Sequence, residues 1–217
     1  MHEKDDRAAV QVFSVEVLEQ ALSKALVTRH ALAVGTPADA NLLAIKALTS
    51  PLLGERSIGR GDEIIALATD DQAFEAMRQC GACPVPALQA PDGQTATLLE
   101  RALSPMTKAV YLCHREGGFD LRTVRNFCNQ YELWLIEDST AVLGEVYLFD
   151  GKPYYKGTVG DIGTVALPSP DGRPAAAALT NDHTLARLLA ALRAQAGATA
   201  TEQQIQAGLA CLANLSE

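Results

Sequence analysis

Three short apolar runs most constrain what this chain can fold into: EIIALA (63–68), KAVYLC (108–113) and LWLIE (133–137). None of them alternates polar with apolar residues along its length, and each is flanked by segments of helical periodicity. A strand that is apolar on both sides needs cover on both faces, which a parallel sheet between two helix layers supplies. The helices are legible too. SVEVLEQALSKALVT (14–28) carries apolar residues at helical spacing behind Ser14, a good N-cap, and DANLLAIKALTS (39–50) runs until Pro51 stops it. DQAFEAMRQC (71–80), TATLLERAL (95–103) and DLRTVRNFCNQY (120–131) follow in alternation with the strands, and helices over 182–195 and 201–215 close the chain. Shorter strand signals lie at 31–35, 84–89, 145–150, 163–168 and 176–180. The pattern predicts an α/β fold, a three-layer sandwich around a mostly parallel sheet. Ligands of such sheets bind beyond the carboxyl ends of the strands, which singles out residues 35–39, 69–71, 114–118 and 137–140.

Charge narrows the function classes. A net charge of −8 and a pI near 5.0 leave no concentrated basic surface for nucleic acid or for an anionic membrane. No apolar run approaches the ~18–20 residues of a membrane span, and MHEKDDRAAV (1–10) has no apolar signal-peptide core, so the expected location is cytoplasmic. The five cysteines are expected as thiols. CGAC (80–83) has no second pair and runs into proline and an apolar stretch, which predicts buried small residues at a helix-to-strand junction rather than a metal or redox motif.

Four phrases carry a resemblance: NLLAIKALTSPLLGERSIGRGDEII (41–65), ALSPMTKAVYL (102–112), LWLIEDSTAVLGE (133–145) and YKGTVGDIGT (155–164). Together they resemble the DegT-type family of pyridoxal-phosphate-dependent sugar-nucleotide aminotransferases and dehydratases. The likeness leans toward the CDP-4-keto-6-deoxyhexose 3-dehydratases of lipopolysaccharide O-antigen biosynthesis, and it spans roughly residues 30–195. It implies the large domain of the type I aminotransferase fold over 30–197, with an N-terminal helix or arm over 1–29 and a final helix over 198–217 in the same domain. The family's small C-terminal domain has no counterpart in these 217 residues. The resemblance also implies a homodimer, or a heteromer with a full-length member, and a nucleotide sugar as candidate ligand.

The resemblance implies a set of cofactor contacts, each with a counterpart position in this chain. The phosphate turn corresponds to GTPADANLL (35–43), where Thr36 offers a hydroxyl while Pro37 removes an N–H and Asp39 adds a like charge. Two acids, Asp70 and Asp71, stand where the family stacks a ring over the pyridine, and Phe74 lies further along, as a core residue would. Asp138 matches the aspartate that pairs with the pyridinium nitrogen, or else caps the crossover after a buried strand. His114 and Gly117 match a strand-end histidine and glycine, with ligand contact and a hydrogen-bonded structural role both open for His114. The Schiff-base lysine of the aminotransferases, or the histidine of the 3-dehydratases, belongs a few residues after GDIG (160–163). Here TVALPSPDGRPAAAALTND (164–182) contains neither. Lys152 and Lys156 sit in a predicted hairpin turn and read as solvated, and His183 lies beyond the segment. Cysteines 80, 83, 113, 128 and 211 do not match the spacing of the dehydratases' [2Fe–2S] ligands. No catalytic residue is expected, no cofactor is expected unless the site survives for pyridoxal phosphate, and Asp138, Thr36 and His114 remain as vestigial cofactor-binding candidates. Three readings follow: a non-catalytic family member acting as a partner subunit, a living enzyme or nucleotide-sugar binder, or a folded product without a role. In the first, Ile205, Leu209, Leu212 and Leu215 form either a partner-binding stripe or a face packed on the chain's own sheet.

Overall fold

The computed structural model describes residues 13–67, 71–87, 94–114, 119–149 and 151–215. The order is α1 (Val15–Ala25), β1 (His30–Val34), α2 (Pro37–Ala47), β2 (Glu63–Leu67), α3 (Asp71–Gln79), β3 (Cys83–Ala87), α4 (Thr95–Ala102) and β4 (Thr107–Cys113). Then come α5 (Leu121–Gln130), β5 (Trp134–Ser139), β6 (Val146–Phe149), β7 (Lys152–Tyr155), β8 (Ile162–Leu167), β9 (Ala175–Thr180), α6 (His183–Ala196) and α7 (Glu202–Leu215). Helix starts follow their side-chain caps. Ser14, Thr36, Asp120 and Asp182 each accept from a backbone N–H of the first turn, and Gly197 ends α6 in the left-handed conformation.

Seven strands form one sheet in the order β1-β9-β8-β5-β4-β2-β3. Only β9 runs against the others. One face is covered by α2, α3 and α6, whose buried residues join Leu32, Val34, Ile64, Tyr111, Trp134 and Ile136 of the sheet. On the other face, α1 and α7 pack over β1, β8 and β9, and α4 and α5 pack over β2, β4 and β5. Three layers result, as the sequence predicts. Helix α5 shows the economy of the design: Leu121, Val124, Phe127 and Cys128 are buried along one stripe, each large apolar chain contributing about 1.5–3 kcal/mol relative to exposure.

Several expectations are corrected. Helix α2 starts at Pro37, two residues before the predicted boundary, because the Thr36 cap lets proline take the first helical position. The strand signal at 145–150 is met by β6, which pairs with β7 in a two-stranded sheet of its own, and Lys152 opens β7 rather than lying in the turn. Lys156 is not freely solvated, since its Nζ sits 2.7 Å from Glu145 Oε2. Cys83 is exposed rather than buried, and Cys80 is half-buried, because the end of α3 meets an edge strand with solvent beyond it. In α7, Ile205 and Leu212 are buried against α1 and the sheet and Leu209 packs on them, leaving Leu215 as the exposed member of the stripe. No described helix is long and apolar enough to cross a membrane.

Candidate functional site

Glu137 and Asp138 lie side by side near the end of β5 and, by strand alternation, point to opposite faces. Both are buried. Asp138 faces α2, and its two carboxyl oxygens carry four hydrogen bonds. Oδ2 accepts from Asn41 Nδ2 and from the Tyr111 hydroxyl, each at 2.9 Å. Oδ1 accepts from the Thr140 N–H at 3.1 Å and its hydroxyl at 2.6 Å. A carboxylate offers about four lone-pair positions, so these donors use all of them. Asn41 also accepts from Thr164 Oγ1 of β8 at 2.6 Å, which links α2, β4, β5 and β8 through one aspartate.

Thr140 falls in the 137–140 segment that the strand ends single out, whereas Asn41, Tyr111 and Thr164 are not nominated by the sequence, although each residue carries a local signal. An asparagine within an apolar helix needs a partner, since it is otherwise a poor helix former. A tyrosine inside an apolar strand must satisfy its hydroxyl. Threonine two residues after aspartate is the partner of an Asx turn.

The turn at the start of α2 is closed on itself. Thr36 Oγ1 accepts from Asp39 N at 3.1 Å and donates to Asp39 Oδ2 at 2.7 Å. Gly35 N–H donates to Ala198 O at 3.1 Å, and Gly35 O accepts from Gln204 Nε2 at 2.6 Å. The segment entering α7 therefore lies against the turn. Thr36 and Asp138 belong to separate hydrogen-bond clusters at this end of the sheet. Between them is a cavity of about 50 Å³ lined by Pro37, Asn41, Gln72, Ala76, Asp138 and Thr140, a volume comparable to one or two water molecules at about 30 Å³ each. Roomier grooves, each about 560 Å³, lie elsewhere, between α1 and α7 and between α1 and α6. Phe74 packs on the core beside α2, as expected. Thr69, Asp70 and Gly117 lie outside the described residues.

His114 is turned away from this cluster. Its Nε2 is 2.8 Å from Glu137 Oε2 on the other face. Glu137 also accepts backbone N–H groups from Gly157 at 3.1 Å, Val159 at 2.8 Å and Gly160. The GTVGDIG motif (157–163) is thus wrapped around one buried acid. Two glycines make this possible. Gly157 has φ +90°, and a Cβ on Gly163 would fall 1.8 Å from Gly157 O.

Past β8 the chain turns directly back. Leu167 pairs with Ala175, and the intervening loop is held by Gly172 N–H on Ser169 O at 3.0 Å. Asp171 Oδ1 accepts from Ser169 Oγ at 2.6 Å and from Arg173 N at 3.0 Å. Arg173 is the only cationic residue between Gly160 and Asp182.

The comparisons with known proteins agree with this architecture. The model of the DegT/DnrJ/EryC1/StrS aminotransferase family matches residues 11–216. The chain belongs to this family. The match takes in α1 and α7, so it reaches beyond the 30–195 carried by the sequence phrases. Lipopolysaccharide biosynthesis protein RfbH of Salmonella typhimurium is 38% identical over 156 residues, 70% of this chain and 35% of that protein. The dTDP-4-dehydro-2,6-dideoxy-D-glucose 3-dehydratase of Saccharopolyspora spinosa is 28% identical over 211 residues, 88% of this chain and 44% of that protein. The chain thus spans less than half the length of these relatives. Among solved structures, Helicobacter pylori PseC, an aminotransferase involved in the biosynthesis of pseudoaminic acid, aligns over 95% of this chain and 59% of its own, with a TM-score of 0.78 and 20% identity. The E. coli GDP-4-keto-6-deoxy-D-mannose-3-dehydratase with bound hydrated PLP aligns over 93% and 60%, with a TM-score of 0.75 and 20% identity. These likenesses establish the fold.

Proposed function

We propose that this member of the family is not an aminotransferase or dehydratase in its own right, and that it serves as a partner or regulatory subunit in nucleotide-sugar metabolism for lipopolysaccharide. One observation carries the reading: the carboxyl of Asp138, the counterpart of the pyridinium-binding aspartate, is filled by Asn41, Tyr111 and Thr140 of the same chain. A pyridinium N–H would have to displace one of these donors and leave it unpaired, at a cost of about 1–3 kcal/mol. The Thr36 hydroxyl is committed to Asp39, whose charge opposes a phosphate. A positioned lysine or histidine is needed to hold or deprotonate a cofactor adduct, and residues 160–182 supply none. On this reading pyridoxal phosphate does not fit. The setting is suggested by the names of the relatives and rests on ancestry, which does not by itself carry activity. A partner is supported by exposed Val27, Val146, Leu148, Tyr154 and Leu215, which fall at the end of α1, on the β6–β7 hairpin and at the end of α7.

A second reading keeps a ligand, either pyridoxal phosphate or a nucleotide sugar, at the same place. It is favoured by the survival of Asp138 next to a small polar cavity. Titration of the purified protein with pyridoxal phosphate, followed by visible absorbance and dialysis, separates the two. The first reading expects no dialysis-resistant band. A retained band that disappears in Asp138→Ala would replace it with the second, and CDP- and dTDP-linked keto sugars would then be assayed.

A further inference from the structure

The two outer strands of the sheet, β1 and β3, are exposed to the same hazard. An edge strand presents a row of unpaired N–H and C=O groups, a template for adding a strand from another molecule. Strand β3 is blunted by its sequence, CPVPA. Cys83 N–H points inward, bonding Asp62 O at 2.8 Å. By alternation Pro84 and Pro86 stand at the outward positions, where no N–H is left to offer.

Strand β1 has no proline, and its outward positions are served differently. Residues 30, 32 and 34 face β9, and 31, 33 and 35 face out, as the partners of Ala33 and Gly35 show. The Ala33 N–H donates to Glu19 Oε1 of α1 at 2.9 Å, and Ala33 O accepts from Arg193 Nη1 of α6 at 3.0 Å. Glu19 and Arg193 are themselves paired. Gly35 repeats the arrangement, with Ala198 O as acceptor and Gln204 Nε2 as donor. Ala31 is left at the floor of the groove between α1 and α6. A single outward residue is too short to template a strand, because ladder bonds recur at every second residue.

We propose that the Glu19–Arg193 pair is a side-chain substitute for an eighth strand, and that it keeps a second copy of this chain from adding to the sheet at β1. The carboxyl supplies the acceptor and the guanidinium the donor that a neighbouring backbone would present, and closure at Ala33 separates Ala31 from the covered Gly35. Removing the pair opens two successive outward positions to an incoming strand.

The test uses the full chain. In Glu19→Ala, hydrogen exchange at the Ala33 amide should accelerate at least roughly tenfold, the mark of a lost local bond. Sedimentation velocity should show assembly that grows with concentration. Adding Ala31→Pro, which gives β1 the device of β3, should abolish that assembly, whereas Glu19→Gln, which keeps an acceptor oxygen, should leave Ala33 protected and the protein unassembled. Unchanged exchange at Ala33, absence of assembly, or assembly that survives Ala31→Pro would each overturn the proposal. If Glu19→Ala does not fold, Arg193→Met carries the same test, since it frees the Ala33 carbonyl, and assembly reversed by Ala31→Pro is again required.

Discussion

Glu137 and Asp138 are neighbours in sequence and both buried, yet they are held in opposite ways. Glu137 binds backbone: three N–H groups of the 157–160 turn and the ring of His114 converge on it. Asp138 binds mostly side chains, from α2, β4 and the turn after β5. Backbone donors cannot be changed by substitution, so an acid that satisfies them is tied to the fold itself. Side-chain donors can be exchanged one at a time, so the surroundings of an acid like Asp138 can be rebuilt while the fold stays. A motif can therefore keep its spelling for reasons unrelated to chemistry. In the 157–163 segment the backbone amides hold Glu137, and Gly163 admits the close approach of the turn, so its residues have a structural reason to be there whatever the chemistry.

The comparison breaks most visibly at the glycine that lets the turn approach. Gly163→Ala would place a methyl 1.8 Å from a backbone oxygen, and neither partner has a rotamer with which to escape. The expected loss is at least about 4 kcal/mol or failure to fold, read from urea unfolding or from the soluble yield. Glu137→Gln comes next. The amide keeps one acceptor oxygen and turns an NH₂ toward backbone donors, leaving buried N–H groups unpaired at a cost of about 3 kcal/mol. If Glu137→Gln proves milder than Asp138→Asn, the distinction between the two acids fails.

The parts of the molecule that follow from one-dimensional pattern were legible in the sequence. The apolar runs at 63–68, 108–113 and 133–137 gave β2, β4 and β5, because burial on both faces leaves no other composition available to them. Ser14 and Asp120 announced their helices by cap chemistry alone. The site was less legible, because its contacts join residues far apart in sequence. Asn41 and Asp138 are 97 positions apart, and His114, just past β4, is 23 positions from Glu137 on β5. Sequence could nominate His114 and Asp138 as strand-end residues, but which face each would occupy depends on partners that no local window contains. The strand signal at 145–150 is met by β6, but such a signal says that a segment is extended, not which sheet it joins.

Asp138→Asn should be the gentler change on the same strand. The Asn41 amide can flip and the Tyr111 hydroxyl can rotate to suit a new donor, so the expected loss is about 1–2 kcal/mol. Asn41→Ala removes the link between Thr164 and Asp138 and should cost a similar amount. In a double-mutant cycle the two changes should be less than additive, because they share one hydrogen bond.

Asp120 provides the control at the small end of the scale. Like Glu137 it accepts backbone N–H groups, those of Arg122 at 3.2 Å and Thr123 at 3.3 Å, but it does so at the exposed start of α5. Partial burial works against its charged form. The hydrogen bonds from Thr123, Tyr147 and the backbone outweigh that effect and hold the carboxyl below its ordinary value. A folded-state pKa lower than the unfolded one means stability that is complete above the unfolded value, about 3.9 for aspartate, and lost as pH falls through the folded one. Asp120→Ala should therefore cost about 1 kcal/mol near neutral pH, the usual worth of an N-cap. The difference from the unsubstituted protein should stay level down to about pH 5 and shrink below pH 4. Asp120→Asn, a capping side chain without charge, should recover most of the loss and show no such decline. Were Asp120→Ala as damaging as Glu137→Gln, backbone-holding alone would explain the importance of Glu137. A cost several-fold smaller, fading in acid, would assign the difference to burial.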